Sequence, residues 1–189
     1  ADPLMLEFIT PHPNITYLVA SRCPPKAFDM LEGYNVVCWH AAGDEHIEEI
    51  LAKRGRQEPV VSGGTAAVTR GLVMAEPMGY RTVHLRGCDS SFNGADTHIR
   101  QSTTVEKRMQ VMCGNREFWC APWMAQQAED FRILAPPLRE HYGLRIVVHG
   151  DGLIPHIAKK LGFDVDGQTK SMQFWREAKG KARTLWSQL

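Results

Sequence analysis

Residues 60–89 read VVSGGTAAVTRGLVMAEPMGYRTVHLRGCD, and the order of residue types in this stretch sets the fold class. Val60-Val61 is β-branched and leads into the turn Ser62-Gly63-Gly64-Thr65. From Ala66 to Ala75, Val68, Leu72 and Ala75 fall on one helical face, beside small residues that permit close packing. Pro77 and Gly79 stop the helix, and Thr82-Val83-His84-Leu85-Arg86 reads as a strand that ends at Gly87-Cys88-Asp89. Strand, glycine turn, helix and strand make a βαβ unit, for which a right-handed crossover is expected.

Outward from this stretch the alternation repeats. Toward the amino terminus, Thr16 to Ala20 and Asn35 to Trp39 read as buried strands. Between Trp39 and Val60, Asp44 to Leu51 begins with acids and closes at Lys53-Arg54-Gly55, the charge order and terminal glycine of a helix. Toward the carboxyl terminus, Ser90 to Arg100 is polar and loop-like, and Cys113-Gly114-Asn115-Arg116 reads as a hairpin turn. A helix is expected from Trp123 to His141, broken or kinked at Pro136-Pro137. Leu144 to Val148 is a further strand, followed by His149-Gly150-Asp151-Gly152 and a short helix from Ile154 to Leu161. The expected fold is α/β, a Rossmann-like three-layer domain with a mostly parallel sheet over residues 1–165. A basic helical arm over 166–189 completes the chain, with Trp175 and Trp186 on it.

Composition narrows the classes. The 189 residues are 43% hydrophobic and 23% charged, which are globular values rather than those of a disordered or low-complexity chain. The formal net charge of +1 gives no global field pointing to nucleic acid or an anionic membrane. No apolar run approaches the roughly 20 residues that span a bilayer, and no signal peptide opens the chain. Five scattered cysteines without a Cys-x-x-Cys pair argue against a disulfide framework and fit a cytoplasmic protein.

Three turns could carry chemistry, because ligands of parallel α/β sheets bind outside the carboxyl ends of the strands. In Ser62-Gly63-Gly64-Thr65 the glycines let a ligand approach the backbone, and the next helix presents unpaired N–H groups that favour a phosphate. The same turn could instead be a tight cap built on Ser62 or Thr65. It has neither the Walker lysine nor the Gly-x-Gly-x-x-Gly pattern. Asp89 could hold magnesium, bond a ribose hydroxyl or cap a turn, while Cys88 reads as a packed hydrophobe rather than a nucleophile. In the third turn His149 and Asp151 offer an acid–base group and an acceptor, or Asp151 is the cap of the next helix. The other histidines, His84 among them, lack metal-ligand spacing, and there is no Gly-x-Ser-x-Gly elbow. Arg100, Lys107, Arg108 and Arg116 suit phosphate recognition or a solvated charged face.

The run from Ser62-Gly63-Gly64-Thr65 through Met78-Gly79-Tyr80-Arg81 to Val83-His84-Leu85-Arg86-Gly87-Cys88-Asp89 resembles the MptE-like family. Cys113-Gly114-Asn115-Arg116-Glu117-Phe118-Trp119 and His149-Gly150-Asp151-Gly152 add to the likeness, which covers about residues 58 to 160. The family takes its name from archaeal 6-hydroxymethylpterin diphosphokinases and includes motility accessory factors thought to glycosylate flagellin. The resemblance implies a nucleotide-binding Rossmann-like fold, with Mg2+ as cofactor in the diphosphokinases. By position, Gly63, Gly64 and Thr65 would meet nucleotide phosphate or ribose, and Asp89 would serve metal or ribose. Ser62 and Gly87 complete the expected binding set, and Asp89, His149 and Asp151 the catalytic one. The expected function is diphosphoryl transfer from a nucleoside triphosphate, with His149 as base on the acceptor hydroxyl. The alternatives are glycosyl transfer from a nucleotide-sugar, as in the motility and small sialyltransferase relatives, or a non-catalytic module that binds nucleotide or protein. The basic arm would serve a homo-oligomer or a protein partner. The family's glycine-rich first turn has no counterpart before Thr16, so part of the nucleotide crevice is expected to lie upstream of Ala1.

Overall fold

The computed structural model describes Leu6 and residues 9–43, 45–56, 60–92 and 107–166. Arg100 and the basic arm lie outside the described residues. The chain is α/β and forms two compact units, the first running to Ser62 and the second from Gly63.

The first unit comprises β1 (Thr16–Ala20), α1 (Pro25–Asp29), β2 (Asn35–Ala41), α2 (Glu45–Lys53) and β3 (Val60–Val61). Its sheet is parallel in the order β1-β2-β3, with Leu18 opposite Val37 and Ala41 opposite Val61. Two successive β-α-β crossovers build it. Pro25 starts α1, where its fixed φ suits the first turn and its missing N–H costs nothing. In α2, Glu45 and Glu48 stand in the first turn and Lys53 at the end, where it pairs with Glu49 at 2.6 Å.

The second unit begins with α3 (Ala67–Ala75) and β4 (Thr82–Leu85), then a hairpin of β5 (Met109–Cys113) and β6 (Arg116–Cys120). It continues with α4 (Pro122–Tyr142), β7 (Arg145–His149), α5 (Leu153–Lys160) and β8 (Asp164–Asp166). Strands β4-β7-β8 form a parallel sheet in that order, and β5 and β6 pair antiparallel across Gly114-Asn115. Leu85 lies opposite Val148, and Val148 opposite Val165. Alternation therefore sends Val83, Leu85, Ile146, Val148 and Val165 to one face, where they join the core with Leu72, Phe118, Phe131, Leu144 and Ile154. Each such side chain, buried, contributes about 1.5–3 kcal/mol. Thr82, His84, Arg145, Val147, His149, Asp164 and Asp166 take the opposite face, which is mostly polar.

Three expectations are corrected here. Val60-Val61 and Thr82–Leu85 do not form a βαβ unit. The first is only two residues long and pairs with β2, while β4 pairs with β7. The Pro136-Pro137 break is absent, and α4 is one helix of 21 residues. The carbonyls that the prolines leave unbonded belong to Arg132 and Ile133, both exposed to water, while Phe131, Ala135 and Leu138 anchor the buried side of the same turns. The helix ends at left-handed Gly143 (φ 66°), with the Leu144 N–H donating to Leu138 O. Neither Ser62 nor Thr65 caps α3: its N-cap position is Ala66, with no side-chain bond.

Candidate functional site

The turns after β4 and β7 interlock. Asp89 accepts the Gly152 N–H at its Oδ1 (3.1 Å) and the Ile154 N–H at its backbone carbonyl (3.1 Å), and Ser91 Oγ accepts the Leu153 N–H (3.2 Å). The first N–H groups of α5 are thus satisfied by the β4 turn, not by Asp151, which corrects the expected cap. Glycine is required where Asp89 lies against the turn. A Cβ at Gly150, itself at φ 125°, would meet Asp89 Oδ1, and one at Gly152 would lie 2.5 Å from the Asp89 carbonyl oxygen. Of the three readings open for Asp89, capping is the one its bonds display. Among the described residues, its Oδ2 makes no hydrogen bond.

Ser90 follows at φ 50°, the one described non-glycine residue at positive φ. It is held there by Cys120 Sγ donating to its carbonyl and by its own hydroxyl donating to Gln127 Oε1 at 2.7 Å. Cys88 is buried, and burial, with Asp89 adding, pushes its thiol up to about 11. It packs as an apolar residue, in line with its sequence reading.

Asp151 is exposed and gripped by Arg116 through two bonds, Nη1 to Oδ1 at 2.5 Å and Nη2 to Oδ2 at 2.9 Å. That hydrogen bonding holds the Asp151 carboxyl below the ordinary carboxylate range. Arg116 also covers the Phe118 ring at 4.8 Å. Arg108 lies over Phe92 at 4.4 Å.

The Ser62-Gly63-Gly64-Thr65 turn already contains an anion, and it is a side chain of the protein. The Thr65 N–H and hydroxyl both donate to Asp130 Oδ2, at 2.8 and 2.9 Å, and Gln126 Nε2 donates to Oδ1 at 3.0 Å. A Cβ at Gly64 (φ 74°) would run into the Asp130 carboxyl, and one at Gly63 would sit 2.7 Å from Arg70 Cα. Burial pushes the Asp130 carboxyl up, but the Thr65 and Gln126 donors and the charge of Arg70 outweigh it, so it lies low. The glycines fit a close approach as the sequence implied; what approaches is Asp130. Ser62 is exposed at the end of the first unit.

The polar face of β4-β7-β8 holds a constellation that the sequence did not bring together. His149, 4% exposed, stands opposite Asp166 in the register, with its Nδ1 3.4 Å from Asp166 Oδ2. Its Nε2 lies 3.0 Å from His84 Nδ1. The two ring planes are 26° apart with centroids at 5.3 Å, so the rings meet at their edges rather than their faces. His84 and Arg86 are exposed, and among the described residues Arg86 has no hydrogen bond or ion pair. Burial and then the charge of Arg86 pull the His149 imidazole below its usual value, against the opposing pull of Asp166. This biases His149 toward its neutral form, and His84 is the exposed member of the pair.

Among the described residues, no three His, Cys, Asp or Glu side chains come together as a metal cage. Asp130 is fully engaged, Asp151 is paired with Arg116, and Asp89 has one oxygen uncommitted. Of these three, Asp89 alone keeps a carboxylate oxygen without a hydrogen bond among the described residues, a single ligand of the kind Mg2+ takes beside phosphate oxygens. No helix among the described residues is long and apolar enough to cross a membrane. Comparison of the chain with models of protein families, with curated proteins and with solved structures finds no match.

Proposed function

We propose that this chain is a nucleotide-binding transferase of Rossmann-like, three-layer architecture, working at the carboxyl ends of β4 and β7. The observation that carries the reading is the exposed pair Arg86 and His84 beside the buried His149 and the half-exposed Asp166 that faces it. A guanidinium without a hydrogen-bond or ion-pair partner among the described residues suits a phosphate oxygen, and a histidine within reach suits the proton of an acceptor hydroxyl. Together they supply what transfer from a nucleoside triphosphate to a hydroxyl needs, namely charge neutralisation, positioning and a base. The likeness to the MptE-like family, with its diphosphokinases, favours this reaction over the nucleotide-sugar alternative.

The phosphate contact moves accordingly. Gly63, Gly64 and Thr65 are occupied with Asp130, so Arg86 and the adjoining Gly87 are the proposed phosphate contacts. Magnesium enters only as the counter-ion that the nucleotide carries on its phosphates, with Asp89 Oδ2 the carboxylate oxygen left open to it. A melting-shift panel of ATP, GTP, CTP, sugar nucleotides and a pterin, with and without magnesium, tests the reading. A ligand at 100 times its dissociation constant stabilises by about 2.7 kcal/mol. A shift with a triphosphate supports diphosphoryl transfer, one with sugar nucleotides alone moves the reaction to glycosyl transfer, and no shift with any of them overturns nucleotide binding.

A further inference from the structure

Resting on that reading, we infer that His84 is the base that touches the acceptor hydroxyl, and that Asp166 and His149 act through it as positioning residues that fix which ring nitrogen is free. The argument is one of donors and acceptors. Asp166 Oδ2 lies 3.4 Å from His149 Nδ1, and a carboxylate only accepts, so we place the proton between them on His149 Nδ1. A neutral His149 then has a lone pair on Nε2, and the 3.0 Å bond to His84 requires the proton on His84 Nδ1. In a neutral His84 that leaves Nε2 as the nitrogen without a proton, on an exposed ring two residues from Arg86, which has no partner among the described residues. Each step follows from the one before, with Asp166 as the anchor.

The sheet imposes this order. His84 lies opposite Val147 and His149 opposite Asp166, so on one face His84 is diagonal to His149 and His149 directly across from Asp166, on three adjacent parallel strands. A neutral histidine in water favours the Nε2–H form, which offers no base at that nitrogen. The relay reverses the preference before any substrate arrives. In the reaction, the hydroxyl proton passes to His84 Nε2 as its oxygen bonds to phosphorus. The phosphorus–oxygen bond to the nucleoside monophosphate breaks, and the leaving oxygen keeps the electron pair. The imidazolium so formed is stabilised through His149 by the Asp166 carboxylate.

Long-range proton–nitrogen NMR on the nitrogen-labelled chain, at a pH above the histidine range, reads the tautomers directly and needs no nucleotide. The expected result is the Nδ1–H form for both His84 and His149, with His84 reverting to Nε2–H in Asp166→Ala. Asp166 is half exposed, and the native chain alone carries the decisive reading should that variant fold poorly. His84 in the Nε2–H form in the native chain overturns the relay, as does an unchanged Nδ1–H form in a folded Asp166→Ala chain. Nucleotide binding that persists alongside either result leaves the transferase reading standing without the relay. The expected tautomers in a chain that binds no nucleotide support the relay while the transferase reading fails.

Discussion

Thr65 gives both its backbone N–H and its hydroxyl to a single oxygen of Asp130, at 2.8 and 2.9 Å. The glycine turn that sequence would assign to a phosphate thus binds a carboxylate from α4, and it joins α3 to α4 within the second unit. Hydrogen bonds to a charged group contribute about 1.5–3 kcal/mol each. Asp130→Ala is expected to cost roughly 2–4 kcal/mol in urea unfolding, since it also leaves the Thr65 donors in a half-buried site. A cost under about 0.5 kcal/mol would show that the turn does not depend on Asp130.

The same carboxyl sets an acid limit. Its folded pKa lies below the unfolded value, so the unfolded state binds the proton more readily. The stability it contributes is complete above the unfolded value of 3.8 and is lost as pH falls through the folded one. Unfolding free energy measured down the acid limb should fall less steeply in Asp130→Asn than in the native chain.

His149 gives a second pH dependence with the same sign at a higher pH. Its folded pKa is depressed by burial and by Arg86, so the unfolded state takes up a proton first. Its contribution is complete above 6.5 and diminishes as pH falls through the folded value. Replacing it, in His149→Gln, should remove that component of the stability–pH curve between neutrality and the carboxylate range.

At the β4 and β7 turns, Asp89 and Gly152 separate capping from ligand binding. Asp89→Ala should cost about 0.5–2 kcal/mol as a lost helix cap, whereas Asp89→Asn keeps the Oδ1 acceptor and should stay within a few tenths. Gly152→Ala places a methyl 2.5 Å from the Asp89 carbonyl oxygen and should cost about 1–3 kcal/mol by overpacking. If Asp89→Asn leaves stability unchanged but weakens nucleotide binding in magnesium, its Oδ2 reaches the ion. The exposed Arg116–Asp151 pair offers a contrast, and breaking it by Asp151→Ala should cost no more than about 1 kcal/mol.

Local signals explain which elements the sequence revealed. Thr16–Ala20 is a strand over its whole expected length, and α2 carries its charge order and ends near Gly55, because each signal lies within the element itself. The hairpin turn at Gly114-Asn115 was legible for the same reason. Helix α1 was missed because Pro24-Pro25 reads as a stop, although proline also starts helices. Strand β8, only Asp164–Asp166, has no β-branched run to announce it, and its pairing with β7 supplies what its composition does not. The site divided along the same line. Asp89 and His149 stood out because they end strands beside glycines. His84 was one scattered histidine and Asp166 went unnoticed, since joining them requires the register of three strands. Asp130 lies mid-helix, 65 residues from Thr65, with nothing local to mark it.

The most direct measurement is calorimetric titration of a magnesium–nucleoside triphosphate into the native chain and into Arg86→Ala. Losing a charged hydrogen bond of about 1.5–3 kcal/mol corresponds to roughly 10- to 100-fold weaker binding. The account predicts saturable binding to the native chain and a loss of that size in the variant, with its melting temperature unchanged because Arg86 has no partner among the described residues. Equal affinity in the two chains, or no binding to the native one, would contradict a phosphate site at the carboxyl end of β4.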